Sequence, residues 1–449
     1  MQDNSSESDN QAHLKKVLSP LMLWGLGVGY VISGMYFGWN LGLKEGGTLG
    51  LAIATGIVIV LYACFSFSYA ELACAIPKAG GVFDYANKAF GDHVGFIAGI
   101  AQMIEFIFAP PAIAFGIGAY FNLFFPDIPI LWISLSAYFI FTALNIYGVR
   151  AAATFELWIT IIAVVEILIF AGVTLPHFKW ANMQQNAWPN GWFGVIAALP
   201  FAIWFFLGIE GLANVAEEAK NPQKDIQRGF GSALFTLVIL CVLVFVAAIG
   251  VGGWEAIVFK NGLSGETSDS PLPLAMGQIV GANSLLFHLL LTVGLFGLIA
   301  SFHGLILAAG RSTYEFGFKG FAPRFLGKLH PTFLTPTNAL LFNMGIGILA
   351  LMTNKTAEII TISVMGALTL YFIAMLSLLR LRKNAPNLPR PFSVPGYPLT
   401  PIMALLISGA SLVLIAYNNS NLFFIYAGII LICFLLFKLF VPKNLFYDD

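Results

Sequence analysis

Residues 25–38 read Gly25-Leu26-Gly27-Val28-Gly29-Tyr30-Val31-Ile32-Ser33-Gly34-Met35-Tyr36-Phe37-Gly38, and residues 204–211 read Trp204-Phe205-Phe206-Leu207-Gly208-Ile209-Glu210-Gly211. Each stretch sits inside an apolar run long enough to cross a bilayer. A helix in lipid must satisfy its own backbone, so an irregular segment is tolerated there only where it faces protein or water. Clustered glycines within such a run therefore point to a break in the helix; the alternative is that they let neighbouring helices pack closely. The fold follows from which of these holds at both places.

The rest of the chain supplies the setting. Of 449 residues, 58% are hydrophobic and 10% charged, against roughly 25% charged in soluble domains. With 22 basic and 22 acidic residues, the chain cannot build a polar shell around a core of this size, and a mean hydropathy of +0.84 says that lipid covers much of it. The formal net charge is zero and no basic patch stands out, so nothing points to nucleic acid; the expected partners are the bilayer and a small solute. Cys64, Cys74, Cys241 and Cys433 fall in apolar runs without metal-ligand spacing and read as packing residues.

Residues 1–19 are polar and read as a solvated tail. Apolar windows follow at about 20–43, 49–76, 93–124, 129–147 and 153–175, then 193–215, 229–252, 284–310, 337–353 and 357–380, then 400–418 and 421–441. The expectation is an all-α membrane protein of about twelve transmembrane helices. With the N-terminus inside, all of the 22 Lys and Arg except Lys44, Lys179, Lys260 and Lys355 gather on the cytoplasmic side, the bias expected of inner-membrane proteins. Both termini are placed there, including the tail 442–449. The segments 253–283 and 383–398 read as connections.

The two glycine-marked windows lie five spans apart. Breaks at matching places predict a five-plus-five inverted repeat, 20–175 and 193–380, with helices 1 and 6 discontinuous and two further helices over 400–441. Half-helix ends expose amide and carbonyl groups at mid-depth, so a solute site is expected between them.

Carboxylates inside spans are costly and mark candidate sites. Glu105, in Gln102-Met103-Ile104-Glu105-Phe106-Ile107-Phe108-Ala109-Pro110-Pro111, could pair with a substrate ammonium, carry a proton, or hold a structural hydrogen bond. Glu210 adjoins the second break as a cap or gate. Glu166 has no cationic neighbour in sequence and is a candidate proton carrier. Glu71 and Glu156 fall near cytoplasmic span ends, where structural duty is expected. His303 could titrate near neutral pH or be a satisfied core residue. Trp204, Tyr36 and Phe37 adjoin the breaks, where rings can cover a cation or act as a gate.

These same residues carry a resemblance. The first-span Gly-Val-Gly-Tyr-Val-Ile-Ser-Gly motif, the stretch Tyr69-Ala70-Glu71-Leu72 with Ile76 to Gly91, and Phe206 to Glu210 with Glu217 to Lys224 are similar to signatures of the amino acid, polyamine and organocation transporters. Within that family the chain looks most like ethanolamine permeases, over about Leu18 to Arg390. The resemblance implies that Ser33 and Gly34 hold the polar end of a solute through backbone groups, with Met35 and Gly208 beside it. It also implies that Trp204 covers the substrate and that Glu210 gates it, with Tyr36 alongside. Glu166 lies near a position where some members place a lysine in lieu of sodium. Met35 stands where the ethanolamine pattern has a glutamate after Ser-Gly, a change that would suit a zwitterionic amino acid.

The function expected is secondary active transport of a small amine solute, such as ethanolamine or an amino acid, by alternating access with a proton as coupling ion and no cofactor. Sodium is less favoured because no Asp, Ser and Thr cluster marks the breaks. An exchanger and, from another class, a channel are the alternatives. An enzyme is not expected, since no nucleophile, metal set or close acidic partner accompanies Glu105.

Overall fold

The structure is a computed structural model that describes residues 16–147, 152–260, 265–281 and 284–440. Lys15, Arg150, Lys443 and the outer parts of both tails, used above to argue orientation, lie outside the described residues.

Among the described residues the regular structure is helical, joined by turns and irregular connections, with isolated bridges such as Leu18 with Ala219. The helices run α1 (Pro20–Val31), α2 (Ser33–Tyr36), α3 (Trp39–Ala75), α4 (Val82–Phe90), α5 (Asp92–Asn122), α6 (Ile130–Tyr147), α7 (Ala152–Thr174), α8 (Trp180–Gln184) and α9 (Gly191–Trp204). After a 3-10 stretch, Ile209–Glu218, come α10 (Pro222–Gly252), α11 (Glu255–Val258), α12 (Pro271–Val280), α13 (Leu285–Phe318), α14 (Thr337–Leu351), α15 (Thr356–Asn384), α16 (Leu399–Asn418) and α17 (Ser420–Phe440).

Among the described residues, 10 helices are long and apolar enough to cross a membrane, and three more, α1, α12 and α14, are apolar but shorter. The sequence windows and this set differ for a physical reason. The first window is cut into pieces, and α1 with 12 residues spans about 18 Å at 1.5 Å per residue, short of a bilayer core. Helix α3 is two helices joined at a kink, where Gly47 has φ 64 and ψ −172 and the Leu49 amide bonds the Ala187 carbonyl at 2.9 Å, so the chain turns at the boundary between the first two windows. Within 253–283, read above as a connection, the chain folds α12, whose Pro271, Leu272 and Met276 are buried.

Local signals set the helix ends. Ser19 caps α1 by accepting from Met22 N–H at 3.4 Å, with Pro20 pre-set for the first turn. Ser284 caps α13 in the same way, accepting from Phe287 N–H at 3.1 Å.

The core sits where α5 packs against α13 and α15, and where α3 packs against α9. Large apolar side chains such as Trp132, Trp158, Phe235, Leu349, Val413 and Phe424 are exposed, an outward apolar surface that suits lipid. At the Lys/Arg-rich end, ion pairs tie the helices. Arg382 grips Glu71 with two bonds of 2.7 Å, Arg311 meets Glu218 at 2.6 Å, and Lys319 meets Asp84 at 2.7 Å.

Candidate functional site

The two interruptions meet. Helix α1 stops at Val31, α2 adds one turn, and Phe37 and Gly38 are extended and left-handed, with φ −160 and 87. Opposite them α9 stops at Trp204, and Gly208 turns the chain with φ 104 before the 3-10 stretch. Gly34 packs on the backbone of Trp204 and Phe205 so closely that a Cβ there would collide with the Trp204 carbonyl; only glycine admits this approach.

The bend between α1 and α2 has a specific cause. Ser33 N–H donates to Ser301 Oγ at 2.9 Å, and Ser301 Oγ–H donates to the Gly29 carbonyl at 2.6 Å. In an unbroken helix the Ser33 amide would bond the Gly29 carbonyl directly; here a hydroxyl from α13 is inserted between them, a recognised way to kink a helix. The backbone amide of Ser33, assigned above to solute, is thus engaged by Ser301.

Aromatic rings cover the junction. Trp204 Nε1–H donates to the Phe37 carbonyl at 3.1 Å, the Phe37 and Trp204 rings meet edge to face at 5.7 Å, and Trp39 stacks on Phe205 at 5.4 Å. Met35, Tyr36 and Phe37 are fully buried.

Three carboxylates surround this junction in different ways. Glu210 receives the Gly208 amide on Oε1 at 3.0 Å and the Tyr371 hydroxyl on Oε2 at 3.0 Å, and Tyr62 Oη lies 2.8 Å from Tyr371 Oη. Glu166 Oε2 lies 2.6 Å from Tyr36 Oη, which also lies 3.0 Å from the Ala163 carbonyl oxygen. Glu105 is fully buried, and neither carboxylate oxygen has a hydrogen-bond partner. Its helix is anchored at that level by Ser363 Oγ–H, which donates to the Glu105 carbonyl at 2.8 Å. One turn earlier in α15, Ile360 approaches Gly38 of the break, and farther along α5 Gly116 packs against the Phe37 ring.

The sequence matches the amino acid permease family over residues 18–445. The chain belongs to the amino acid permease family. The permease is thereby a member of the amino acid, polyamine and organocation transporters, and a transporter rather than an enzyme. It is 27% identical to an uncharacterized transporter of Rhizobium meliloti, over 91% of this chain and 88% of the relative. It is also 27% identical to a branched-chain amino acid permease of Bacillus subtilis, over 90% and 89%, and to a methylthioribose transporter of the same organism, over 89% and 88%.

Of the residues singled out in the permease sequence, Ser33, Gly34, Met35, Tyr36, Trp204 and Gly208 converge on the junction, with Glu210 and Glu166 bonded to its edges. His303 is elsewhere. Its Nδ1 lies 3.8 Å from Glu156 Oε2, under α1. Glu156, placed above near a solvated span end, is instead buried, with Oε1 unpartnered. Glu71 does serve structure, through Arg382 and the Val394 amide. The sequence reading missed Ser301, Tyr62 and Tyr371. Hydroxyls are common in membrane helices, and nothing local marks these; their partners are remote, Ser301 from Gly29 by 272 positions.

Proposed function

We propose that the permease is a secondary active transporter that carries a small amino acid, as a zwitterion, across the cell's inner membrane by alternating access coupled to protons. The observation that carries this reading is the contact of two interrupted helices at Gly34 and Trp204; beside it we set the buried, unpartnered carboxyl of Glu105 on α5, a helix that packs on the break at Gly116. Helix ends at mid-depth supply backbone dipoles for a solute's carboxylate near Ser33 and Gly34, and Glu105 supplies the counter-charge for its ammonium. Trp204, Tyr36 and Phe37 close over it, and Met35 and Gly208 border it. Glu210, Glu166 and His303 are the candidate groups for gating and proton movement.

In this reading α1, α2 and the start of α3 make one broken crossing, and α14 makes another; these two, added to the ten long helices, give twelve. The first five crossings and the next five form the inverted repeat, with α16 and α17 outside it. The Lys/Arg-rich end faces the cytoplasm, with both chain termini. The relatives named for amino acids support the substrate class. A second reading, uptake of ethanolamine, is favoured by the unpartnered Glu105, which would serve any small ammonium.

The test is uptake by purified protein in liposomes, with labelled branched-chain and small neutral amino acids, ethanolamine and putrescine, with and without a pH gradient. Saturable uptake of an amino acid, accelerated by unlabelled amino acid inside, is expected. Entry of ethanolamine alone would replace the substrate class. Unsaturable flux without counterflow would point to a channel and end the carrier reading.

A further inference from the structure

Glu166 and Tyr36 pose a hydrogen-counting problem. Tyr36 Oη has one proton and two oxygens within reach, Glu166 Oε2 at 2.6 Å and the Ala163 carbonyl at 3.0 Å. A carbonyl can only accept, and an ionised carboxylate can only accept. With Glu166 ionised, the single Tyr36 proton serves one of these contacts and leaves the other an oxygen pair without hydrogen. With Glu166 protonated, the carboxylic acid donates to Tyr36 Oη, and Tyr36 donates to Ala163. Both contacts are then hydrogen bonds. Glu210 differs in that one oxygen receives a backbone amide and the other the Tyr371 hydroxyl; Tyr62 lies 2.8 Å from Tyr371 Oη, and its contact with the Ile203 carbonyl is longer, at 3.5 Å.

The surroundings of Glu166 leave room for a water molecule beside it. Its side chain lines a water-sized cavity with Tyr120 and Phe170, roofed by Leu272, Pro273 and Met276 of α12 and by the first turns of α13. From α2 and α5 the titratable groups that face Glu166 are Tyr36 and Tyr120, and the cavity residues from α12 and α13 are all apolar. Tyr120 in turn donates its hydroxyl to the Tyr36 carbonyl at 3.1 Å. The proton on Glu166 is therefore one hydrogen bond from the segment that interrupts the first span.

We infer that Glu166 is the proton-binding site of the transport cycle, loaded from the α12 side through this cavity and read by the first-span break through Tyr36. This names the coupling group within the reading given above, and so rests on it. A proton arriving from water forms the O–H bond on Glu166. Its departure removes the donor to Tyr36, turns the Tyr36 hydroxyl back onto the carboxylate, and releases the bond to Ala163.

Two measurements separate this from the transport reading itself. Infrared spectra of the protein in liposomes near neutral pH should show a protonated carboxylic acid band that disappears in Glu166→Gln and shifts in Tyr36→Phe. In uptake assays, Glu166→Gln should lose accumulation driven by a pH gradient, and the counterflow that remains should no longer depend on pH. The inference is overturned if the acid region of the spectrum is the same in wild type and Glu166→Gln, or if Glu166→Gln still accumulates substrate under the gradient. Should wild-type protein transport none of the probes, the transport reading fails, and the infrared difference alone decides whether Glu166 holds a proton.

Discussion

Glu105 is the residue whose chemistry is least complete, because both its oxygens are buried without a partner. Replacing a buried carboxyl that lacks partners by an isosteric amide breaks no hydrogen bond. Glu105→Gln is therefore expected to leave thermal stability unchanged or raised while uptake of ammonium-bearing solutes is lost. Unfolding followed by intrinsic fluorescence in detergent, beside liposome uptake, checks both halves; a destabilised variant with normal uptake would make Glu105 a structural residue. Ser301 offers a second case. Ser301→Ala removes the inserted hydroxyl, so the Ser33 amide can bond Gly29 directly and straighten α1 into α2, at a stability change of about 1 kcal/mol. The expected result is a folded protein with impaired transport. Glu105 was legible in the sequence as a carboxylate in an apolar window and a candidate partner for an ammonium, whereas Ser301 gains its meaning only from α13 lying against α1.

At the scale of elements, the turn at Gly208 fixes how α9 hands over to the 3-10 stretch. With φ 104 and the Tyr30 carbonyl 3.2 Å from where a Cβ would be, Gly208→Ala is expected to cost on the order of 1–3 kcal/mol, measurable as a lowered unfolding temperature. Outside the membrane-spanning helices, the loop before α12 is pinned to the start of α15, where the Thr356 hydroxyl donates to Asp269 Oδ2 at 3.0 Å. Burial pushes the Asp269 carboxyl from 3.8 up to about 6, against the opposing effects of Thr356 and Lys260. The packed loop thus prefers the protonated acid: that preference is fully present below the ordinary value and is lost as pH rises through about 6. Amide exchange over 265–270, corrected for intrinsic rates, should speed up across this window, and Asp269→Asn should flatten the change. Element positions were legible wherever hydropathy runs were long, as in α5, α10 and α13. The short helix α12 was not, because its apolar residues pack against α7, α10 and α13 without making a run long enough to cross lipid, and composition alone cannot tell these apart.

Across the whole molecule, Glu71 joins parts far apart in the chain. It accepts two bonds from Arg382, lies 3.5 Å from Arg390, and accepts from the Val394 amide at 2.7 Å. Arg382→Ala leaves this buried carboxylate short of its main partner, and a loss of about 3–5 kcal/mol is expected; the double change Glu71→Leu with Arg382→Leu should lose less, as judged by unfolding temperatures of the two variants. The membrane setting was legible from composition, because a chain 58% hydrophobic and 10% charged must meet lipid over much of its surface, a signal that no single packing detail disturbs. The fitting of the two broken spans against each other was not, since the contact of Gly34 with Trp204 depends on three-dimensional closure. The Ser301 hydroxyl has a mechanical corollary. One oxygen grasps both cut ends of the same peptide ladder, so α1 and the turn that follows it are clasped to α13 at a single atom, like a door at its hinge pin.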